Sequence, residues 1–318
     1  MLSISFRWMF VLACLIHVQA QAQETYEYQL TPRKIAQDTY VFEGRNEDFS
    51  RQNGCNIINT GFIVMDDGVL VINTGPSKKY GIAQRAAIQK VTDLPIKYVL
   101  NLNLHPDYFL GNQAYPDRPI GSLPASIKGM KLEGSAYTDN LYHICGDWMT
   151  GTESTPADRE IKIGELDLSS PLHQIELMEL SGHTDSDLVL IDKSTGVVFV
   201  GGIVFSNRVP TTPHSNVPKW LSSLKTVSKL NTQGRITVLV PSHGPIDSAK
   251  NGIEKTSNYL IWLDESLKNA ALQGMDVNEV LRQEVPSEFK EMAAFKTEYL
   301  RNVMHLYPEY EKQVFNNH

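Results

Sequence analysis

The feature that most constrains the fold is a pair of short apolar segments joined by a tight turn. The segments are residues 56–65 and 69–73, and Asp66-Asp67-Gly68 lies between them. An Asp-Gly pair between apolar residues is a strong signal for a β-hairpin, because glycine readily adopts the backbone angles that such turns need. The sequence therefore predicts an antiparallel pair of strands early in the domain.

Other strands and helices alternate around this hairpin. Strands are predicted at residues 39–42, 96–101, 173–180, 188–191, 197–200 and 236–240, and helices at 80–91 and 218–230. Residues 124–156 are predicted to form a helical insertion with a loop at 149–156, and the chain beyond residue 246 is predicted to be helical, with one helix ending before Gly274. Antiparallel strands that then mix with helices favour an α/β sandwich of two mixed sheets over a Rossmann domain.

The first 22 residues have the layout of an export signal. Arg7 is followed by a mostly apolar run over residues 8–18, and Ala20-Gln21-Ala22 fits a small-x-small cleavage site. Because this run is too short to cross a bilayer, we expect cleavage near Ala22 and a periplasmic or secreted protein without a membrane span. The predicted organisation is a signal peptide at 1–22, a main domain at 23–250 and a helical segment at 251–318 that packs on the same domain.

Cleavage would remove Cys14 and leave Cys55 and Cys145. An oxidising compartment permits these two to pair, so a disulfide and two free thiols are both open interpretations.

Composition and missing motifs exclude several classes of function. With 29 Lys+Arg against 36 Asp+Glu, the net charge of −7 argues against a nucleic-acid-binding protein. The sequence contains no GxGxxG, no GxxxxGK[ST] and no GxSxG, so neither a nucleotide site nor a serine nucleophile is supported.

Polar side chains follow several of the predicted strands. The segments are Asn103-Leu104-His105-Pro106-Asp107-Tyr108, Ser181-Gly182-His183 and Ser242-His243-Gly244, and a fourth segment, Val200-Gly201-Gly202, has the same setting without ligand-type residues. Loops at strand ends are where binding residues collect, and imidazole and carboxylate groups are the natural zinc ligands of catalytic sites.

In this order and spacing the segments resemble those of the metallo-β-lactamase superfamily. That family has an HxHxDH motif, then a single His, a bridging Asp and a final His in Gly-His-Gly. The resemblance implies the αββα sandwich of that family. His183-Thr184-Asp185-Ser186-Asp187-Leu188 and Arg301-Asn302-Val303 are further similar to the quinoprotein relay system zinc metallohydrolases. That branch implies export and a periplasmic quinoprotein or cytochrome partner.

The resemblance implies that His105, Asp107, His183 and His243 are retained metal ligands. Three ligand positions are altered, because Asn103 and Tyr108 replace histidines of the motif and Gly202 replaces the bridging aspartate. Asn73 replaces an aspartate that supports the metal ligands. The four positive charges of two zinc ions would be poorly compensated by one ligand carboxylate, so we expect one zinc at most.

Two functions agree with this pattern. The first is a mononuclear zinc hydrolase of an ester, lactone, amide or thioester, in which Asp107 is the catalytic residue that orients or deprotonates a zinc-bound water. The alternative is a degenerate binding or accessory protein for a small molecule, which keeps the fold without a complete metal site. A β-lactamase is disfavoured because its ligand set is incomplete here.

Other polar and aromatic residues near these segments have simpler interpretations. Tyr108 either donates its phenol to a substrate oxyanion or, as we expect, fills the space of a smaller imidazole. His214 is either a substitute ligand or, as we expect, exposed to solvent. Trp148 is expected to pack the insertion. The histidines without a partner pattern are His143, His173, His305 and His318.

Overall fold

The computed structural model describes residues 26–316. The predicted export signal and His318 therefore lie outside the described residues. The described strands are β1 (Arg33–Ala36), β2 (Thr39–Phe42), β3 (Thr60–Val64), β4 (Val69–Ile72), β5 (Ile96–Leu100), β6 (Ile120–Ser122), β7 (Arg159–Glu160), β8 (Ile175–Leu180), β9 (Asp187–Asp192), β10 (Val197–Phe205) and β11 (Val238–His243).

Eight α-helices occur among the same residues. They are α1 (Lys78–Gln89), α2 (Pro106–Phe109), α3 (Pro124–Cys145), α4 (Val217–Thr232), α5 (Ala249–Leu272), α6 (Val277–Leu281), α7 (Ser287–Lys290) and α8 (Phe295–Asn316). Short 3₁₀ turns follow α2 and α3 at Asn112–Ala114 and Gly146–Met149.

The strands form two mixed sheets. The first contains β1 to β7 in sequence order, antiparallel from β1 to β4 and parallel from β4 to β7. The second has the order β11-β10-β9-β8, in which only the β10–β11 pair is parallel. The predicted hairpin is the β3–β4 pair, with Phe62 opposite Val71.

Buried side chains join these layers. The sheets face each other through an apolar cluster that includes Ile63, Leu70, Leu188 and Phe199. A second cluster covers the outer face of the first sheet with α1 and α3, and a third covers the second sheet with α4, α5 and α8. The predicted sandwich of two mixed sheets flanked by helices is therefore confirmed, and the C-terminal helices pack onto it.

Strand β10 is longer than the sequence predicted. Its expected end was residue 200, but the strand continues to Phe205. The glycines at 201 and 202 caused the error, because glycine pairs usually interrupt strands. Gly201 has φ +56°, and the register against β11 shifts beside it, so the strand bends here and continues. The strands β1, β6 and β7 were not predicted.

A disulfide joins Cys55 and Cys145, whose Cα atoms are 6.1 Å apart. Both residues are fully buried, and the bond connects the loop before β3 to the last residue of α3. Within residues 26–316, no helix has the length and apolar character that a membrane crossing requires.

Candidate functional site

The predicted ligand residues meet where strands of both sheets end. His105 follows β5 and precedes α2, which contains Asp107. His183 lies between β8 and β9, and His243 is the last residue of β11. All four side chains are at least nine-tenths buried. The fold therefore brings the four together from segments that are far apart in sequence.

A network of amides supports the loop that carries His105. Asn73 has φ +58°, and its side-chain oxygen accepts a hydrogen bond from the Leu102 backbone nitrogen at 2.9 Å. Asn101 donates to the Tyr108 carbonyl at 3.0 Å and exchanges hydrogen bonds with Asn112. Since every partner is buried, the loop after β5 is held in one conformation.

His105 lies at the centre of a chain of side chains that leads to the surface. Its Nδ1 is 3.0 Å from Nε2 of His183, and its Nε2 is 3.1 Å from Nδ1 of His214. Nε2 of His214 is in turn 3.0 Å from Oε2 of Glu133 on α3. His214 and Glu133 have 29% of their side-chain surface exposed, so solvent reaches the outer end of the chain.

Asp107 and His243 form a second pair. Nε2 of His243 is 3.3 Å from Oδ2 of Asp107, yet the geometry is not that of a hydrogen bond, and no other group within residues 26–316 bonds this buried oxygen. Nδ1 of His243 is 2.9 Å from the Ile57 carbonyl oxygen, which only accepts, so Nδ1 carries the proton. A neutral His243 therefore presents the lone pair of Nε2 to Asp107.

Burial controls the protonation of these groups. It lowers the pKa of His105 and of His243 well below the usual value, and it lowers that of His183 to about 3. Burial raises the pKa of Asp107 to about 7. At neutral pH the three buried histidines are therefore neutral. A proton on Asp107 would lie between its Oδ2 and Nε2 of His243 and would remove the repulsion between their lone pairs.

The altered positions have acquired structural contacts. The side-chain oxygen of Asn103 accepts from the His105 backbone nitrogen at 2.9 Å, and its amide donates to Asp187 at 3.3 Å. Tyr108 is fully buried, and its hydroxyl lies beside the side chains of Ser242 and Asn103. The ring therefore fills part of the interior next to His105.

Gly202 lies against the ring of His183. A Cβ built on this glycine would be 1.9 Å from Cδ2 and 2.7 Å from Nε2 of His183. His183 thus occupies the space in which any side chain at position 202 would begin.

His214, His173 and Trp148 all contact other side chains. His214 keeps 29% of its side-chain surface exposed, so the expected exposure is only partial, because its ring is also held between His105 and Glu133. His173 has no partner pattern in the sequence, but it is fully buried and its Nδ1 is 2.8 Å from Asp192. Trp148 packs on Tyr28 with ring centroids 4.6 Å apart, as expected for the insertion.

Glu133 is a member of the site that the sequence analysis missed. It lies in the middle of α3, where an acidic residue usually faces solvent, and no motif marks it. The hydroxyl of Tyr137, one turn further along, donates to the same carboxylate oxygen at 2.7 Å.

Among residues 26–316, the retained donors are not arranged as a complete zinc site. Catalytic zinc sites use three protein ligands, and structural sites use four. Here the retained donors form two separate pairs, and His105 directs its two ring nitrogens to different histidines. Within the described part of the chain, no group of three or more His, Cys, Asp or Glu side chains is arranged to hold a metal ion.

Comparison with known proteins agrees with the architecture. The family model described as "Metallo-beta-lactamase superfamily" matches residues 53–243. A metallo-β-lactamase of Pseudomonas aeruginosa in its mono-zinc form is 15% identical, with a TM-score of 0.59, and the match covers 75% of this chain and 97% of that one.

Two further solved structures are similar. A metallo-β-lactamase from Pontibacter korlensis is 17% identical with a TM-score of 0.57, over 73% of this chain and 99% of that one. One from Hirschia baltica is 15% identical with a TM-score of 0.56, over 73% of this chain and 97% of that one. No curated protein matches the sequence.

Proposed function

This chain belongs to the metallo-beta-lactamase superfamily, and we propose that it is a degenerate member that binds a small molecule without a resident zinc centre. The observation that carries this proposal is the packing of His183 against Gly202. The bridging aspartate of the family would have to begin 1.9 Å from the His183 ring. A carboxylate therefore has no room at this position while His183 keeps its place.

The remaining side chains suit ligand binding. Neutral imidazoles and a carboxyl group of raised pKa offer hydrogen-bond donors and acceptors in a site shielded from water. Glu133 and His214 provide a polar outer end that solvent reaches. Together they support a small polar molecule as the ligand.

Export and a periplasmic quinoprotein or cytochrome partner belong to the same proposal. The signal-like residues 1–22 and the disulfide between Cys55 and Cys145 support an oxidising compartment. The link to a quinoprotein is supported by Asp187 and Asn302. Both belong to the segments that are similar to the quinoprotein relay system metallohydrolases, and both contact residues around the site. Asp187 bonds Asn103, and Asn302 bonds the loop that carries His214 through Thr212 and Pro210.

Metal content tests the proposal. The mature protein would be purified from a zinc-supplemented culture without chelator, and zinc per chain would be measured by mass spectrometry. We expect well under one zinc per chain and no hydrolysis of ester, lactone, amide or thioester substrates after zinc is added. Close to one zinc that survives dialysis, together with turnover, would show that the proposal is wrong.

A mononuclear zinc hydrolase is the second candidate, and one observation favours it. The nitrogens of His105 and His183 are 3.0 Å apart, and Asp107 and His243 approach to 3.3 Å without a hydrogen bond. Donor atoms that bind the same zinc ion also lie about this far apart. Each pair would need at least one more donor, and the same metal measurement separates the two candidates.

A further inference from the structure

The loop between β10 and α4 places His214 over the candidate site. The base of this loop is buried and fixed to the C-terminal helix. Arg208 is 3.3 Å from Glu298, and Thr212 donates to Asn302 at 2.8 Å. The tip, residues 213–215, is partly or fully exposed. The tip is therefore a short projection from a rigid base.

The His214 ring fills a gap between two groups that belong to other elements. Its Nδ1 is 3.1 Å from Nε2 of His105, and its Nε2 is 3.0 Å from Oε2 of Glu133. If the ring turned away, Nε2 of His105 and Oε2 of Glu133 would both lose their partner. They would then face each other across a gap as wide as an imidazole ring. The ring has a direction in which to turn, because 29% of the His214 side-chain surface is exposed.

The charges around this gap indicate what else it accepts. Glu133 presents a carboxylate, whereas the nearby cations Arg208 and Arg301 are already paired with Glu298 and Asp48. An anion would meet the Glu133 carboxylate, and neither of these two arginines is free to compensate it. A neutral or cationic nitrogen compound would instead donate to Glu133 and bond His105 on its other side.

We propose that His214 is an internal occupant of the ligand site, and that the ligand is a small nitrogen heterocycle or amine which replaces its imidazole between His105 and Glu133. This inference rests on the proposed ligand-binding function and names the class of molecule bound. His214 keeps the gap closed until such a ligand displaces it. The gap itself then provides the specificity, through one group that bonds His105 and one that donates to Glu133.

Imidazole is the probe that tests this proposal. His214→Ala would empty the gap, and imidazole would be titrated into the metal-free mature protein while the melting temperature is followed. We expect saturable stabilisation of His214→Ala, with an affinity about tenfold to 100-fold higher than in the wild type, where the side chain competes. His143→Ala, which removes an exposed histidine of α3, is the matched control and should behave as wild type.

A second substitution locates the bound probe. Adding Glu133→Gln to His214→Ala removes the charged acceptor and should weaken imidazole binding about tenfold. The side-chain NMR signals of His105 should shift on titration, whereas those of His143 should not. If His214→Ala unfolds, His214→Ser replaces it, because serine is too short to span the gap, and imidazole should still bind more tightly than to the wild type.

Two results would overturn the inference. One is a folded His214→Ala protein that imidazole does not stabilise. The other is equal affinity for His214→Ala, wild type and His143→Ala. Neither depends on zinc content, because the protein is freed of metal beforehand. The result of the imidazole titration can therefore be told apart from that of the zinc measurement, which tests the proposed function.

Discussion

Cδ2 of His183 lies 1.9 Å from the point where a Cβ on Gly202 would be. A side chain at position 202 would therefore require the His183 ring to shift. At the position where the resemblance places a bridging aspartate, the chain has a packing contact between Gly202 and His183. Both residues are fully buried, so the ring cannot move into solvent without opening the core.

Gly202→Ala should destabilise the protein by about 1–3 kcal/mol, because the added methyl group overpacks a rigid interior. Urea unfolding measures the loss. In a His183→Ala background the same substitution should cost much less, with a coupling energy of about 1 kcal/mol or more. Additive effects of the two substitutions would show that the contact with His183 is unimportant.

Asn103→His with Tyr108→His should raise zinc affinity, because it returns two imidazoles to the ligand positions of the motif. Calorimetric titration with zinc measures the change. Adding Gly202→Asp should give little further gain, since its carboxylate has no room beside His183. A large additional gain from Gly202→Asp would mean that the ring rearranges readily.

Removal of the Cys55–Cys145 disulfide should destabilise the fold. The bond closes a loop with a sequence separation of 90 residues, for which chain entropy predicts a contribution of about 4.6 kcal/mol. We expect a lower melting temperature for Cys55→Ala/Cys145→Ala, and a matching decrease when the wild type is reduced. Unchanged melting in both cases would contradict a disulfide in the mature protein.

Asp187→Asn should make stability less dependent on pH. Burial raises the pKa of Asp187 from 3.8 to about 7, so the folded wild type binds this proton more tightly than the unfolded chain does. Wild-type stability due to this group is therefore present below pH 4 and lost as pH rises to 7. Between pH 4 and pH 7 the free energy of unfolding of the variant should rise relative to that of the wild type, by up to about 4 kcal/mol. Above pH 7 the difference should stay constant.

Urea unfolding at pH 5 and pH 8 checks this expectation. Asp185→Asn, two residues away and exposed, is the control and should show no such trend. A variant whose difference from wild type is the same at both pH values would refute the assignment.

Much of the fold was accessible from sequence because its signals are local. The Asp66-Asp67-Gly68 turn marks the β3–β4 hairpin, and the helical spacing of Leu260, Leu263 and Leu267 marks the buried face of α5. The very short strands β6 and β7 were missed, since pairing with neighbours rather than their own residue pattern defines them.

The candidate site was only partly accessible. The motif located His105, Asp107, His183 and His243, because each follows or ends a strand in a recognisable segment. Glu133 and the true position of His214 gave no sequence signal. Their contact joins residues that are 81 positions apart, from a helix and a loop that meet only after packing.

The sequence by itself predicted the sandwich and the superfamily, and both are confirmed; it also predicted altered ligand positions at Asn103, Tyr108 and Gly202. Only the tertiary structure decided which contacts these positions make. It placed the His183 ring where a side chain on residue 202 would begin and directed both nitrogens of His105 to other histidines. The physical reason is that strand and helix patterns are set by neighbours in the chain, whereas the convergence of donor atoms depends on the packing of distant segments.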